Sequence, residues 1–367
     1  MLLELVALML AGAHFGAPLL YYLYLRSRCL NKPWGIKVDE GYKPRVTIIV
    51  PTYREADFIW SRLDNIYAQD YPREMMEIIV VDSASDDGTS SLVKKWASEH
   101  KDINLKLVEE PERRGKLLAI LEALKHVSSS SDVVVFTDAD AYWEPDALSK
   151  AVKYFADPSV GAVTASITYF GEEAFENAYR GYYNTVRIAE SKVFATPVHN
   201  GPFLAIRAGL LNKYGLPMFP GSDDSSFGSY VALLGFRAIQ VDDDVVREPT
   251  RGSQFRRKLR RAQHLLLSFL KTKSYAKRLG VYRRVRPFEK IWRVEWWLHV
   301  VNPWLLLTSA ILLAVSAFHA SLMAVALLGI GIALLALKAY RVWLSQQLYL
   351  VMAAVRNLWT REIAWSK

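Results

Sequence analysis

The run Val133-Val134-Val135-Phe136-Thr137-Asp138-Ala139-Asp140 joins a short apolar stretch to two carboxylates one residue apart. Four consecutive apolar residues suit a strand buried on both faces of a parallel sheet, and open α/β sheets place ligands beyond the carboxyl ends of such strands. In extended chain Asp138 and Asp140 share a face, so together they can hold one hard divalent ion and a substrate phosphate. Magnesium or manganese suits them better than zinc, because no His or Cys stands nearby. The rival reading is a solvated Asp-rich turn that closes a strand.

Other strand ends carry matching chemistry. Arg45 to Val50 reads as a strand that runs into Pro51-Thr52-Tyr53-Arg54-Glu55, a polar loop where nucleotide contacts fall in such sheets. Glu77 to Val81 ends in Asp82-Ser83-Ala84-Ser85-Asp86-Asp87-Gly88-Thr89. A carboxylate there can accept hydrogen bonds from a base or a ribose, although such loops are also ordinary turns. Leu105 to Val108 leads to Arg113-Arg114-Gly115-Lys116, a basic helix start able to grip a diphosphate. Further on, Ser222-Asp223-Asp224 places adjacent carboxylates at a predicted helix start, as a cap or as a general base.

The elements that must position these loops alternate. Helices are predicted over Ile59 to Gln69, Ser90 to His100, Leu117 to Val127 and Glu173 to Phe194, with strands at Asp132 to Phe136 and Gly161 to Thr168. His199 to Arg207 reads as a tight turn into a strand. The alternation predicts an α/β fold, a mostly parallel sheet with helices on both faces. No G-x-G-x-x-G follows the first strand, so the dinucleotide fingerprint is absent.

The 367 residues are 51% apolar, unevenly placed. Leu2 to Leu25 is long enough to span a bilayer, interrupted only by Glu4, His14 and Pro18. It lacks the basic start and small-residue cleavage site of a signal peptide, and His14 is expected to pack rather than to bind a ligand. Trp297 to Phe318 and Ala320 to Leu337 read as a transmembrane hairpin. Arg26, Arg28 and Lys32, then Arg283 to Arg293, then Lys338, Arg341 and Arg356 all flank these spans on one side. By the positive-inside rule the protein is a multi-pass cell-membrane protein with a cytoplasmic middle segment and an outward amino terminus.

Phe255 to Lys273 carries Arg256, Arg257, Lys258, Arg260 and Arg261 ahead of an apolar run, the pattern of an amphipathic helix in the membrane interface. Tyr349 to Trp365 is a second candidate. The net charge of +9 gathers beside the spans, which points to membrane lipids rather than nucleic acid. The single cysteine, Cys29, excludes an internal disulfide. The expected organisation is a span (1–26), a linker (27–44), a cytoplasmic domain (45–250), a basic helix with connector (251–295), a hairpin (296–344) and an amphipathic tail (345–367).

Taken in order, P-T-Y-R-E at 51–55, Asp82 in its loop, Arg114-Gly115-Lys116, Asp138-Ala139-Asp140, Ser222-Asp223-Asp224 and Gln254-Phe255-Arg256-Arg257 resemble the family-2 inverting glycosyltransferases of GT-A fold. With its spans the chain looks like the membrane-bound cellulose-synthase-like branch, an archaeal membrane mannosyltransferase being one candidate. The resemblance implies that Tyr53, Glu55 and Asp82 bind the donor's nucleoside and Lys116 its diphosphate, with Pro51, Thr52, Gln254 and Arg257 also on the donor. It implies that Asp138 touches ribose or metal, that Asp140 ligates Mn2+ or Mg2+, and that Asp224 is the base. Gly201, Pro202 and Asp223 would lie on the acceptor side. Gln254 and Arg257 match the first and fourth positions of Q-x-x-R-W; Lys258 stands in place of the tryptophan, which counts against processive synthesis.

The implied function is transfer of one sugar from a nucleotide sugar, GDP-mannose by resemblance, to a lipid-linked saccharide. A hydroxyl needs a base to take its proton, whereas an ionised lipid phosphate does not, so Asp224 points to a sugar acceptor. A processive polysaccharide synthase, a polyprenyl-phosphate sugar synthase and a non-catalytic nucleotide-sugar-binding protein are the alternatives.

Overall fold

The computed structural model describes residues 2–169, 174–248 and 254–359. The expected tail beyond 359, and residues 249–253 at the junction of the expected cytoplasmic domain and basic connector, lie outside these.

The chain opens on the apolar helix α1 (Leu2–Arg28). Strands and helices then alternate as β1 (Val46–Thr52), α2 (Ala56–Tyr67), β2 (Met76–Asp82), α3 (Thr89–Glu99), β3 (Asn104–Glu109), α4 (Lys116–Leu124) and β4 (Val133–Phe136). The next part is less regular: β5 (Tyr142–Trp143), α5 (Ala147–Val152), β6 (Val160–Tyr169), α6 (Ala174–Val193), β7 (Leu204–Arg207), α7 (Ala208–Tyr214), α8 (Asp224–Leu233) and β8 (Arg237–Glu248). Five helices close the chain: α9 (Gln254–Arg278), α10 (Arg286–Trp296), α11 (Asn302–Phe318), α12 (Leu322–Ala333) and α13 (Lys338–Arg356).

One sheet runs β3-β2-β1-β4-β7-β6-β8-β5. The β3-β2-β1-β4 run is parallel, as is β6 with β8. Side chains alternate between its faces. Val46, Ile48 and Val50 pack with Leu63 and Trp96 of α2 and α3, while Ile49, Ile79 and Val81 pack with Ile120 of α4 and Phe227 of α8. Burial on both faces explains why β1, β2 and β4 read as continuous apolar runs.

Strand β7 departs from the parallel expectation. It pairs antiparallel with β4 and β6, Leu204 opposite Phe136. The reversal sets the turn that precedes it, Gly201-Pro202, beside the Asp138 end of β4. Strand β8 escaped the sequence reading because its Asp242-Asp243-Asp244 run resembles a loop. Lys192 meets Asp242 at 3.3 Å and Lys153 binds Asp243, which makes two of those carboxylates compatible with a strand.

Among the described residues two helices are long and apolar enough to cross a membrane: α1, and the continuous Arg286–Phe318 formed by α10, a π-helical turn (Trp297–Val301) and α11. The third expected span differs. Helix α12 and the 3-10 turn that continues it, Leu322–Ala336, rise about 23 Å, against a hydrocarbon core of about 30 Å. It bends by 108° at Leu337 into α13, and only the bent pair would count as a third span. Helix α13 therefore begins at Lys338, inside the stretch expected for the hairpin (296–344).

The polar residues that interrupt α1 bind its neighbours. Glu4 accepts hydrogen bonds from Ser316 and Ser321, both at 2.6 Å. His14 packs, as expected: Trp343 Nε1 donates to its Nε2 at 2.9 Å, and its Nδ1 lies 3.0 Å from the Asn302 carbonyl. Such bonds hold helices together where lipid supplies no hydrophobic drive. Leu5, Met9 and Leu20 of α1, with Ile311 and Ile330, stay exposed, as lipid-facing residues do.

Candidate active site

The loops after β1, β2 and β4 meet the amino ends of α4 and α8 and one face of α9 around a cleft of about 1100 Å³. Pro51 and Thr52 end β1, and Tyr53 lies under the Arg113 guanidinium, 3.9 Å from ring centre to charge, a cation–π contact. Glu55 precedes α2 and lines the cleft, its amide donating to Thr89 Oγ1 at 3.0 Å.

Asp82 is placed differently. It is buried, and its carboxylate accepts from Thr52 Oγ1 at 3.0 Å, the Ser85 amide at 3.1 Å and Ser90 Oγ at 2.8 Å. Those bonds organise the loop, and the adjacent Ser83 lines the cleft instead.

Four charges form the centre. Lys116 opens α4 behind Gly115, whose φ of 98° suits glycine. Its Nζ donates to Asp138 Oδ1 at 2.7 Å and lies 3.6 Å from Asp224 Oδ2. Burial works against its charge, but Asp138 and Asp224 outweigh it and hold the Lys116 pKa above its ordinary value. Burial likewise works against Asp138, and Lys116, Arg261 and Arg257 reverse the effect and keep that carboxyl below the usual range. Asp140 lines the same wall.

Asp223 is the N-cap of α8, accepting from the Ser226 amide at 3.3 Å, which leaves Asp224 as the first helical residue. The cap role weighed for this pair therefore falls to Asp223. Burial pushes the Asp224 carboxyl up to about 6, Lys116 pulls it down, and Asp138 and Asp223 add repulsion. Its Oδ1 is buried without a hydrogen-bond partner among the described residues. Gly201 makes room for this arrangement: a Cβ there would collide with the Asp224 carboxylate and press on Asp138. Pro202 is held from below, its carbonyl accepting from Thr137 Oγ1 at 2.7 Å and Trp143 Nε1 at 2.8 Å.

Helix α9 is amphipathic, as predicted, and its basic face turns to the cleft. Arg256, Arg257, Arg260 and Arg261 all line it, while Leu259 and Leu266 are buried in a seam with Ala353 of α13. Gln254 begins the helix.

Residues 47–215 match the profile of Glycosyl transferase family 2, and 133–340 that of Glycosyl transferase family group 2. A solved structure, mannosyltransferase PcManGT from Pyrobaculum calidifontis in complex with GDP-Man and Mn2+, shares 46% identity and a TM-score of 0.88, covering 98% of this chain and 100% of its own. The chain belongs to glycosyltransferase family 2.

Curated relatives match over shorter stretches. The dolichyl N-acetyl-alpha-D-glucosaminyl phosphate 3-beta-D-2,3-diacetamido-2,3-dideoxy-beta-D-glucuronosyltransferase of Methanococcus voltae is 28% identical, over 38% of this chain and 44% of its own. The poly-beta-1,6-N-acetyl-D-glucosamine synthase of Staphylococcus aureus is 34% identical, over 40% and 34%. The chain thus spans less than half the length of either.

In this family-2 enzyme several residues in the cleft or beneath it escaped the sequence reading. Arg260 and Arg261 fall three and four positions after Arg257, so helical spacing alone would have found them. Arg62 had a different signal, a charge among Ile59, Leu63 and Ile66 on the buried face of α2. Its guanidinium, 1% exposed, lies 4.2 Å from the Trp143 ring centre and donates to Thr137 Oγ1 at 2.9 Å. Burial lowers its pKa to about 9, with Asp138 and Asp140 as the opposing charges. Thr137 therefore links Arg62 to the Pro202 carbonyl and ties the two turns together. His199 packs on Gly228, and burial, then Arg187, pushes its pKa down to about 3, so the ring is neutral.

Proposed function

We propose that the chain is a membrane-bound inverting hexosyltransferase that moves one sugar from GDP-mannose to a hydroxyl of a lipid-linked saccharide, with its catalytic domain cytoplasmic. The observation that carries this reading is Asp224: a buried carboxylate with one unpartnered oxygen, 3.6 Å from the lysine that also grips Asp138. The GDP-Man and Mn2+ named for the Pyrobaculum enzyme support the choice of donor and metal.

Among the described residues no three His, Cys, Asp or Glu side chains surround a common point. Two carboxylates at a strand end still fit a hard ion that completes its shell with diphosphate oxygens. Mn2+ or Mg2+ on Asp138 and Asp140 would neutralise charge on the departing diphosphate.

The protein's own groups do the rest. Lys116, Arg257 and Arg261 stabilise negative charge as it develops on the leaving group. The amino end of α4 adds favourable backbone dipoles. Asp224 accepts the proton of the attacking hydroxyl, which approaches the anomeric carbon from the face opposite the diphosphate and so inverts it. A carboxyl pushed up to about 6 is a stronger base than an ordinary aspartate and is still ionised at neutral pH.

Release of nucleoside diphosphate from GDP-mannose, UDP-glucose and UDP-N-acetylglucosamine, with and without Mn2+ in a membrane lipid extract, tests the proposal. Metal-dependent release from GDP-mannose alone is the expected result. Release from a UDP-sugar instead would replace the donor, and long polymeric products would favour the processive reading.

A further inference from the structure

Helix α8 carries a buried glycine in its interior, where glycine is destabilising relative to alanine. The physical reason lies across from it: a methyl at Gly228 would overlap the imidazole ring of His199. Gly228 stands four positions after Asp224, on the same face of the helix. The ring therefore lies against α8 one turn from the carboxylate assigned as the base.

The chain around His199 follows α8 closely. Ser229 Oγ donates to the Pro197 carbonyl at 2.6 Å, while Ser225 Oγ accepts from the His199 amide at 3.3 Å and donates to the His199 carbonyl at 3.2 Å. Asn200 fastens the same segment to the sheet and to α6. Its amide donates to Thr164 Oγ1 at 3.1 Å, its Nδ2 donates to the Ala165 carbonyl at 2.9 Å and to Gln240 Oε1 at 3.2 Å, and its Oδ1 accepts from Arg187 Nη1 at 2.9 Å. A Cβ on the next residue, Gly201, would meet the Asp224 carboxylate. Residues 197–201 thus bracket α8 to the sheet, with the His199 ring as the spacer. Buried and held neutral by burial and then Arg187, against the Ala238 backbone and Asp223, the ring offers the helix a flat, uncharged surface.

We propose that His199 is a positioning residue for the transfer step: its ring, seated on Gly228, fixes the first turn of α8 so that Asp224 meets the acceptor hydroxyl beside Gly201. This rests on the transferase reading with Asp224 as base. Tyr53 and Lys116, assigned to the donor, stand on other elements, the loop after β1 and the start of α4. Loss of the seat should therefore slow transfer and leave donor binding in place.

The test is a double-mutant cycle on the full-length chain in detergent, with mannose transfer to a membrane lipid extract expressed per site that binds GDP-mannose with Mn2+. Gly228→Ala and His199→Ala should each lower kcat about tenfold or more, with GDP-mannose affinity within about twofold of wild type. In the double variant the new methyl occupies space left by the ring, so kcat should recover to at least that of the better single variant rather than fall about 100-fold. His199→Phe, which keeps a flat ring without its nitrogens, should retain more transfer than His199→Ala. Losses that multiply in the double variant, or wild-type kcat per binding site in His199→Ala, overturn the proposal. Transfer in His199→Phe as low as in His199→Ala also overturns it and gives the role to the ring nitrogens. Asp224→Asn, run alongside, separates the two readings: transfer at the wild-type rate there removes the base and the proposal with it, whereas multiplying losses beside an inactive Asp224→Asn reject the positioning role alone.

Discussion

The two walls of the cleft are built in different ways. On one wall, the loops after β1, β2 and β4 sit at adjacent strand ends because parallel pairing puts Thr52 opposite Asp82 and Ile49 opposite Phe136. On the other wall, α8, α9 and α13 converge from distant parts of the chain, Asp224 at one end and Arg356 at the other, joined by side-chain packing and the Gln263–Asn357 pair. The first wall is fixed by local sequence and sheet register. The second depends on long-range contacts, so changes there should alter substrate preference before they alter the fold.

The turn where the walls meet is the most sensitive point. Gly201→Ala drives a methyl into Asp224 and Asp138, and transfer should fall by about 100-fold or more, since small displacements of reacting groups cost that much. A thermal unfolding midpoint close to wild type would locate the loss in the site rather than in the fold.

Arg62 lies under the first wall. Arg62→Ala removes its bond to Thr137 and its contact with Trp143 and should destabilise the chain by on the order of 2–4 kcal/mol, read as a lower unfolding midpoint in detergent. Wild-type stability in that variant would show that the two turns hold without the tether.

The basic face of α9 sharpens the contrast further. Arg257, which acts on Asp138, should on change to Gln weaken GDP-mannose binding about tenfold, and Arg256→Gln by less than about twofold. Equal losses would mean that both arginines serve the donor. The pH profile follows the sign of the Asp224 shift: ionised base is present above about 6 and is lost below it. On the acid side kcat/KM should fall about tenfold per pH unit, and a profile flat down to about pH 5 would exclude Asp224 as the titrating base. The smallest effect belongs to the membrane helices: Ser309→Ala loses one bond to the Ala7 carbonyl, about 0.6 kcal/mol.

The same contrast explains how much could be read from the sequence. Asp138, Asp140 and Tyr53 were legible because each follows an apolar run that fixes its place at a strand end, and Lys116 because a glycine and a basic run open a helix there. Asp82 was legible as a strand-end carboxylate, but its engagement by Thr52, Ser85 and Ser90 is a matter of loop closure, which composition does not encode. The basic run of α9 was read as facing a membrane because amphipathicity gives a helix an apolar and a basic side without saying what either meets. Arg356 lies 95 residues beyond Arg261, and only the bend after α12 brings it back. The reversal of β7 was hidden for a related reason, since a short run such as Leu204-Ala205-Ile206 reads alike in either direction.

The most direct test pairs two measurements on Asp224→Asn in the purified full-length chain: GDP-mannose affinity with Mn2+, and the rate of mannose transfer to a lipid-extract acceptor. Affinity within about threefold of wild type, with transfer reduced by about 100-fold or more, is the predicted outcome for a base that acts on the acceptor. Transfer at the wild-type rate would contradict the assignment and leave Asp224 a buried helix-start carboxylate with no part in the chemistry.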